Sequence, residues 1–405
     1  MGYQVQLNWN LASTSWDSDE YEAMADVIQS GFFSMGAVTQ DFEKRFASWA
    51  GRKYAVMVNS GSSANLVAAS ALRYIRDSHA IPDEKGLIGE VIVPAVSWST
   101  TFFPFYQNRY KLVFVDVDRE TFNVDVKSIE AAISPRTVGI CGVNLLGLCA
   151  DWGQIKKIAA ENNLWTMEDN CESMGSYSSD GKSGTFGDTS TFSFFYSHHI
   201  CTMEGGMIVC DDEDLYIAMR SLRAHGWARE VPVEDKFLGI ERHSRWNENF
   251  RFYLPGYNVR PLELSAAIGI RQLSKFPKTL QVRRQNAQLL SSLLTGLNTN
   301  WKLQSGNEGS SWFTFGLINT HPEFGPKYRD RLVEIFDASG VQSRPIVAGD
   351  FTKNPVIQWL DAEIPDELPG AGLINDCGLM LGNHHFDLSE QILKLPELLI
   401  QSERD

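Results

Sequence analysis

The chain has 405 residues, 43% of them hydrophobic and 21% charged, and a formal net charge of −14. This composition fits a globular protein with a substantial core, long enough for one large and one smaller domain. The acidic excess argues against broad binding to nucleic acid or anionic membrane, although a local arginine cluster can still receive a small anion.

The N-terminus lacks the basic start and apolar stretch of a signal peptide, and no apolar run approaches the roughly 20 residues of a membrane span, so a cytoplasmic location is expected. Residues 54–59 read as a strand and 64–75 as an apolar-periodic helix. Further strands fit at 90–94, 111–116, 137–144, 164–168, 189–196 and 207–210, with helices at 126–132, 151–162 and 213–224. This alternation predicts an α/β fold on a mainly parallel sheet, with ligands at the carboxyl ends of its strands. From Leu262 a long helix runs to about Leu297, and an interruption would fall at Phe276-Pro277. A strand at 312–318 and helices at 328–339 and 388–402 follow. The expected division is a large domain over 1–275, its first ~35 residues an arm, and a small α+β domain over 276–405.

The cysteines, Cys141, Cys149, Cys171, Cys201, Cys210 and Cys377, form no CxxC pair, so reduced thiols are expected. Neighbours on an extended segment point to opposite faces, so His198-His199 and His384-His385 predict no metal site.

Three segments carry chemistry. Asn59-Ser-Gly-Ser-Ser-Ala-Asn65 lies at a strand-to-helix junction, where free N–H groups and the helix dipole make a phosphate cup. On its own it reads more simply as an ordinary N-cap at Ser62 or Ser63. Glu168-Asp-Asn-Cys-Glu-Ser173 ends a strand with carboxylates that can hold a pyridine nitrogen protonated or simply cap a turn. The third, residues 191–206, puts Ser193 on a strand and His198-His199 ahead of Glu204-Gly-Gly206. An imidazole moves protons but, unlike a primary amine, does not hold an aldehyde covalently.

Together, and in this order, these segments resemble the fold type I, aspartate-aminotransferase-like pyridoxal-phosphate enzymes, specifically the DegT/StrS-type sugar aminotransferases. Phe33-Ser-Met-Gly36, residues 94–101, Gly184-Thr-Phe-Gly-Asp188 and residues 255–263 extend the likeness over nearly the whole chain. The resemblance implies pyridoxal 5′-phosphate or pyridoxamine 5′-phosphate as cofactor, with its phosphate on Gly61, Ser62 and Ser193. Trp98 would stack on the ring, Asp169 would face the pyridine nitrogen, and Glu172 would sit near the ring hydroxyl in place of a glutamine. Asn258 would reach the phosphate of a neighbouring subunit, which implies a homodimer with shared sites.

His198 stands where the family has its Schiff-base lysine, as in the nucleotide-sugar 3-dehydratases. One kind of these holds a [2Fe–2S] cluster with four cysteines. Cys171 matches one such position, but no cysteine lies between Cys210 and Cys377, so no iron–sulfur cluster is expected. The implied reaction removes the C3 hydroxyl from a nucleotide-linked 4-keto-6-deoxyhexose, GDP-linked by overall resemblance, giving a 4-keto-3,6-dideoxy sugar and ammonia. His198 would be the acid/base, the cofactor would be non-covalent, and L-glutamate would restore its amine. Ser197, His225, Arg229, Arg260, Arg344, Met35 and Gly36 would line the substrate or glutamate site. A sugar aminotransferase, a CDP-linked dehydratase and a non-catalytic scaffold are the alternatives.

Overall fold

Short runs of β-branched and apolar residues form a central sheet whose strands are buried almost throughout. The computed structural model describes residues 6–230, 246 and 250–404. In chain order the large unit contains β1 (Tyr54–Val58), β2 (Gly89–Pro94), β3 (Tyr110–Val115), β4 (Thr137–Val143) and β5 (Trp165–Asp169). A two-stranded hairpin, β6 (Tyr177–Ser178) with β7 (Gly181–Lys182), precedes β8 (Thr189–Ser193) and β9 (Gly206–Cys210). Around them lie α1 (Ser18–Ser30), α2 (Ala37–Ala50), α3 (Gly61–Ile75), α4 (Ser99–Gln107), α5 (Val126–Ala132), α6 (Trp152–Glu161) and α7 (Glu213–Arg223).

The main sheet has the order β1-β9-β8-β5-β4-β2-β3, and a short strand at 362–363 adds to its far edge. β9 is antiparallel to both neighbours, and the other adjacent strands are parallel. Helices between parallel strands cover both faces, so the strands read as apolar runs rather than alternating ones. Chain order reverses between β2 and β4, and the crevice at the carboxyl ends of such strands is where α/β folds bind ligands.

The helix after β1 starts at Gly61, earlier than its apolar periodicity suggests, and its N-cap is Ser60, whose Oγ accepts from Ser63 N at 3.0 Å. Ser62 and Ser63 are therefore not the cap. Residues 189–196 do not continue as one strand either. β8 stops at Ser193, and the chain turns so that His198 N donates to Phe195 O at 2.9 Å.

The second part begins inside α8 (Glu263–Leu294), which runs through Pro277 without a break. Proline removes one helical hydrogen bond, but burial of Phe276, Arg283, Asn286, Ala287 and Leu290 carries the helix across it. A four-stranded antiparallel sheet follows, built from β10 (Trp301–Leu303), β11 (Thr314–Asn319), β12 (Ser343–Arg344) and, after β13 (Ala362–Glu363), β14 (Gly378–Gly382). With α9 (Gly325–Ser339), α10 (Pro369–Cys377) and α11 (Ser389–Ser402) it has its own core around Trp301, Phe315, Leu332, Phe336, Leu381 and Leu395. β13 pairs in parallel with β3, so this part of the chain also extends the large sheet.

Glu263 opens α8 and, fully buried, caps α2 from a distance. Its carboxylate accepts from Gly36 N at 2.7 Å, Val38 N at 2.9 Å and Thr39 N at 2.9 Å.

Candidate active site

At the end of β5 alternate side chains point to opposite faces, and this separates the carboxylates of the 168–173 segment. Glu168 turns inward. It accepts from Asn144 Nδ2 and Gly184 N at 2.7 Å, Ser190 Oγ at 2.7 Å and Phe186 N at 3.0 Å, while burial pushes its carboxyl up. That carboxylate is a packing centre. Asp169 faces a cavity of about 620 Å³ at the carboxyl ends of the parallel strands. Its Oδ2 accepts from Asn65 Nδ2 at 2.9 Å and Thr101 Oγ1 at 2.8 Å, and its Oδ1 from Cys171 N at 3.2 Å. Asn65 is fixed in turn by Thr191 Oγ1, which donates to its Oδ1 at 2.6 Å. Helix α3, helix α4 and strand β8 thus jointly orient one carboxylate.

Glu172 also lines the cavity, accepting from Leu146 N at 3.1 Å. Burial, with Asp169 nearby, pushes its carboxyl up to about 7, so near neutral pH it exists in both protonation states.

The N-terminus of α3 opens into the same space. A Cβ on Gly61 would lie 2.5 Å from the Ser193 Cβ, so only glycine lets these two segments meet. Ser62 Oγ donates to Thr100 Oγ1 at 2.9 Å. Trp98, just ahead of α4, leaves half its surface open to the cavity, and the Arg344 guanidinium lies 5.6 Å from its ring centre.

His198 is half-buried at the cavity wall against Phe313, with ring centres 5.0 Å apart. Ser197 Oγ is 3.5 Å from its Nδ1. Burial and the Arg283 guanidinium push its imidazole down to about 3, so it is neutral at physiological pH. His199 turns into the interior, its Nε2 3.3 Å from Ser311 O. The two rings diverge, and among the described residues no group of three or more His, Cys, Asp or Glu is arranged to hold a metal ion.

Of the residues singled out from the sequence, Gly61, Ser62, Trp98, Asp169, Glu172, Ser193, Ser197, His198 and Arg344 meet in this cavity. The remaining six lie outside its lining. Asn258 is exposed, bridged to Ala224, and its Oδ1 accepts from Arg260 Nε at 3.0 Å. His225 has a left-handed backbone (φ 66°) and its ring centre lies 4.7 Å from that of Trp227, tilted by 53°, with the exposed Arg229 over the Trp227 ring. Met35 and Gly36 stand at the start of α2, the Gly36 N–H held by Glu263. Sequence reasoning missed Asn65, Thr101, Phe313, Leu11 and Ala12 as parts of the site. Asn65 had a signal: it is four residues past Gly61, hence on the same helix face. Phe313 and the N-terminal pair had none.

The fold and the cavity define the class. The DegT/DnrJ/EryC1/StrS aminotransferase family matches residues 14–392, and the chain belongs to this family. It is 43% identical over 397 residues to GDP-4-keto-6-deoxy-D-mannose 3-dehydratase of Yersinia pseudotuberculosis, covering 98% of this chain and 99% of that one. The solved structure of the Escherichia coli GDP-4-keto-6-deoxy-D-mannose 3-dehydratase with bound hydrated PLP superposes with a TM-score of 0.91 at 42% identity, over 97% of this chain and 100% of that one. A structure of GDP-4-keto-6-deoxymannose 3-dehydratase with a trapped PLP–glutamate geminal diamine aligns with the same TM-score, identity and coverage.

Proposed function

We propose that the chain is a pyridoxamine-phosphate-dependent dehydratase. It removes the C3 hydroxyl of GDP-4-keto-6-deoxy-D-mannose, with L-glutamate as amino donor. The observation that carries this reading is that His198 stands in the cavity and no lysine is among its lining residues within the described part of the chain. The basic group there can move a proton but cannot hold the cofactor covalently.

The donor set fits pyridoxal or pyridoxamine phosphate. The free N–H groups and serines around Gly61, with Ser193, suit a phosphate, and the open face of Trp98 suits a flat ring. Bound there, the cofactor supplies a primary amine and an electron-withdrawing ring, which together loosen a C–O bond beside a ketone. Asp169 would hold the proton on the ring nitrogen, and Asn65 and Thr101 keep its carboxylate aimed into the cavity. Glu172, near half-protonation, can donate to or accept from the ring hydroxyl. His198, neutral at physiological pH, would serve as the base for the cofactor carbon that bears the amine and, once protonated, as the acid for the departing C3 hydroxyl. Phosphate and diphosphate charges drawn into the cavity raise its proton affinity, so substrate binding primes it. Arg344, beside Trp98, is placed for an anionic group of the substrate or of glutamate.

The same reading makes 1–275 the larger cofactor-holding unit and 276–405 the smaller one. The cavity lies at their junction, where Phe313, Arg344 and Met380 complete it. Asn258, Arg260, His225, Arg229, Met35 and Gly36 are assigned to a surface shared by two copies in a homodimer. The exposed Phe32, Phe33, Phe250, Phe252 and Leu262, close in sequence to these residues, support this, because large apolar side chains left open to water favour a covering partner. A nucleotide-sugar substrate fits a cytoplasmic site of action, and no described helix is long and apolar enough to cross a membrane. The product would serve 3,6-dideoxyhexose (colitose) synthesis for a surface polysaccharide such as lipopolysaccharide O-antigen.

The test is incubation with glutamate and GDP-4-keto-6-deoxy-D-mannose, followed by product mass. The reading predicts a sugar nucleotide lighter by one oxygen atom, together with 2-oxoglutarate and ammonia. An amino sugar would identify a transaminase instead, and an unchanged substrate would remove the assignment.

A further inference from the structure

The segment ahead of α1 runs along the cavity and is anchored to both halves of the chain. Its first part packs on the small domain. Leu7 N donates to Ser339 O and Trp9 N to Gly340 O, both at 2.9 Å, and Gln342 N donates to Trp9 O at 2.8 Å. The Trp9 indole is buried in the small-domain core, and its Nε1 donates to Gly382 O at 2.8 Å. The last part is tied to the large domain. Trp16 Nε1 donates at 3.0 Å to the carbonyl of Cys201, on the same loop as His198, and Ser15 Oγ donates to Gln272 Oε1 at 2.7 Å. Between these anchors Leu11 and Ala12 line the cavity.

His384 latches the middle of this stretch. Its Nε2 lies 2.8 Å from Asn10 O and its Nδ1 2.8 Å from Ser13 Oγ. A carbonyl only accepts, so Nε2 carries the proton; burial keeps the ring neutral, and Nδ1 accepts from the serine. Gly382 marks the closest crossing, since a Cβ there would lie 2.3 Å from Asn10 O and 2.8 Å from Leu11 O. The end of β14 is therefore shaped to let this backbone pass over it.

We infer that residues 7–16 are a strap closing one side of the substrate cavity, and that Leu11 and Ala12 are specificity-determining residues on it. For the identity of the substrate the inference rests on the dehydratase reading; the wall itself rests on the geometry alone. The strap arrives on the small-domain side, whereas the phosphate cup and Asp169 belong to the large domain. Bulk added at Ala12 therefore takes room from the substrate rather than from the cofactor. A methyl side chain at that point leaves space for a nucleotide-linked sugar, which glutamate does not need.

Two variants of the full-length protein test this. Ala12→Phe is expected to raise KM for the GDP-linked 4-keto sugar about tenfold or more, with kcat within about threefold, because lost room weakens binding rather than the chemical step. Its affinity for pyridoxal phosphate and its reaction with glutamate, both followed by absorbance, should stay near those of the parent, which also shows that the variant is folded. His384→Ala should speed amide exchange at residues 10–13 about tenfold while leaving Trp9 protected. A sugar KM within about twofold of the parent in Ala12→Phe would overturn the specificity role, and unchanged exchange in His384→Ala would overturn the latch. If the parent reacts with glutamate but turns over no nucleotide sugar, the dehydratase reading fails. The strap is then decided by the exchange data and by whether Ala12→Phe excludes amino donors bulkier than glutamate.

Discussion

The Asn65 amide, on helix α3 of the large unit, donates to the Asp169 carboxylate at 2.9 Å across the top of the sheet. One side chain thereby links the helix whose N-terminus opens into the cavity to a carboxylate that faces the same cavity. The link joins positions 104 apart in sequence and is buried, so its loss leaves polar atoms without partners. Asn65→Ala should cost about 1–3 kcal/mol of stability, measured by chemical denaturation, and should weaken pyridoxal phosphate binding in an absorbance titration. Parent-like values for both would show that Thr101 and the Cys171 amide suffice to hold Asp169.

Gly61 offers a sharper steric test. An added Cβ meets Ser193 at 2.5 Å, whereas one on Gly372, in α10, meets nothing within 4 Å. Gly61→Ala should therefore destabilise by about 1–3 kcal/mol through overpacking and impair cofactor binding. Gly372→Ala, a helical glycine with open space, should be neutral or stabilise by up to about 1 kcal/mol. Thermal unfolding of both variants, with and without pyridoxal phosphate, checks the contrast. Equal behaviour would mean that the approach of α3 to β8 is not tight.

Acid stability follows from the buried imidazoles. His198 is lowered to about 3 and His384 to about 4, and His199 is also pushed well down, all chiefly by burial. The unfolded chain, with histidine near 6.5, binds more protons than the native one between those values. Stability should thus be full above about pH 6.5 and fall as pH drops toward 4. Glu172, raised to about 7, acts in the opposite sense: its contribution is full below its ordinary carboxylate range and is lost as pH rises through 7. Urea unfolding at several pH values should show the acid loss, and Glu172→Gln should steepen it. A flat profile from pH 7 to 5 would contradict the buried neutral histidines.

Much of the large unit was legible because its signals are local. β-branched runs alternating with helical periods mark the parallel strands, and strand-end positions draw attention to Asp169 and to the phosphate cup. Helix α4 was not legible: its Ser99–Gln107 run is dense in aromatics, contains Pro104 and has no side-chain cap. Strand β14 is five buried residues bounded by glycines, and only pairing with β11, far away in sequence, makes it a strand. Leu11 and Ala12 reach the cavity because Trp9 pairs beside Val341, a long-range event that leaves no periodic trace. The apparent break at Pro277 was overridden by tertiary burial of the helix beyond it.

In the proposed reaction His198, not a lysine, performs the proton transfers in this cavity, and His198→Asn tests that role most directly. The amide keeps a comparable size but cannot act as an acid or base near neutral pH. With glutamate and GDP-4-keto-6-deoxy-D-mannose, formation of the 3-deoxy product should fall by about 10²–10⁴-fold while pyridoxal phosphate still binds. Turnover close to that of the parent would contradict the account.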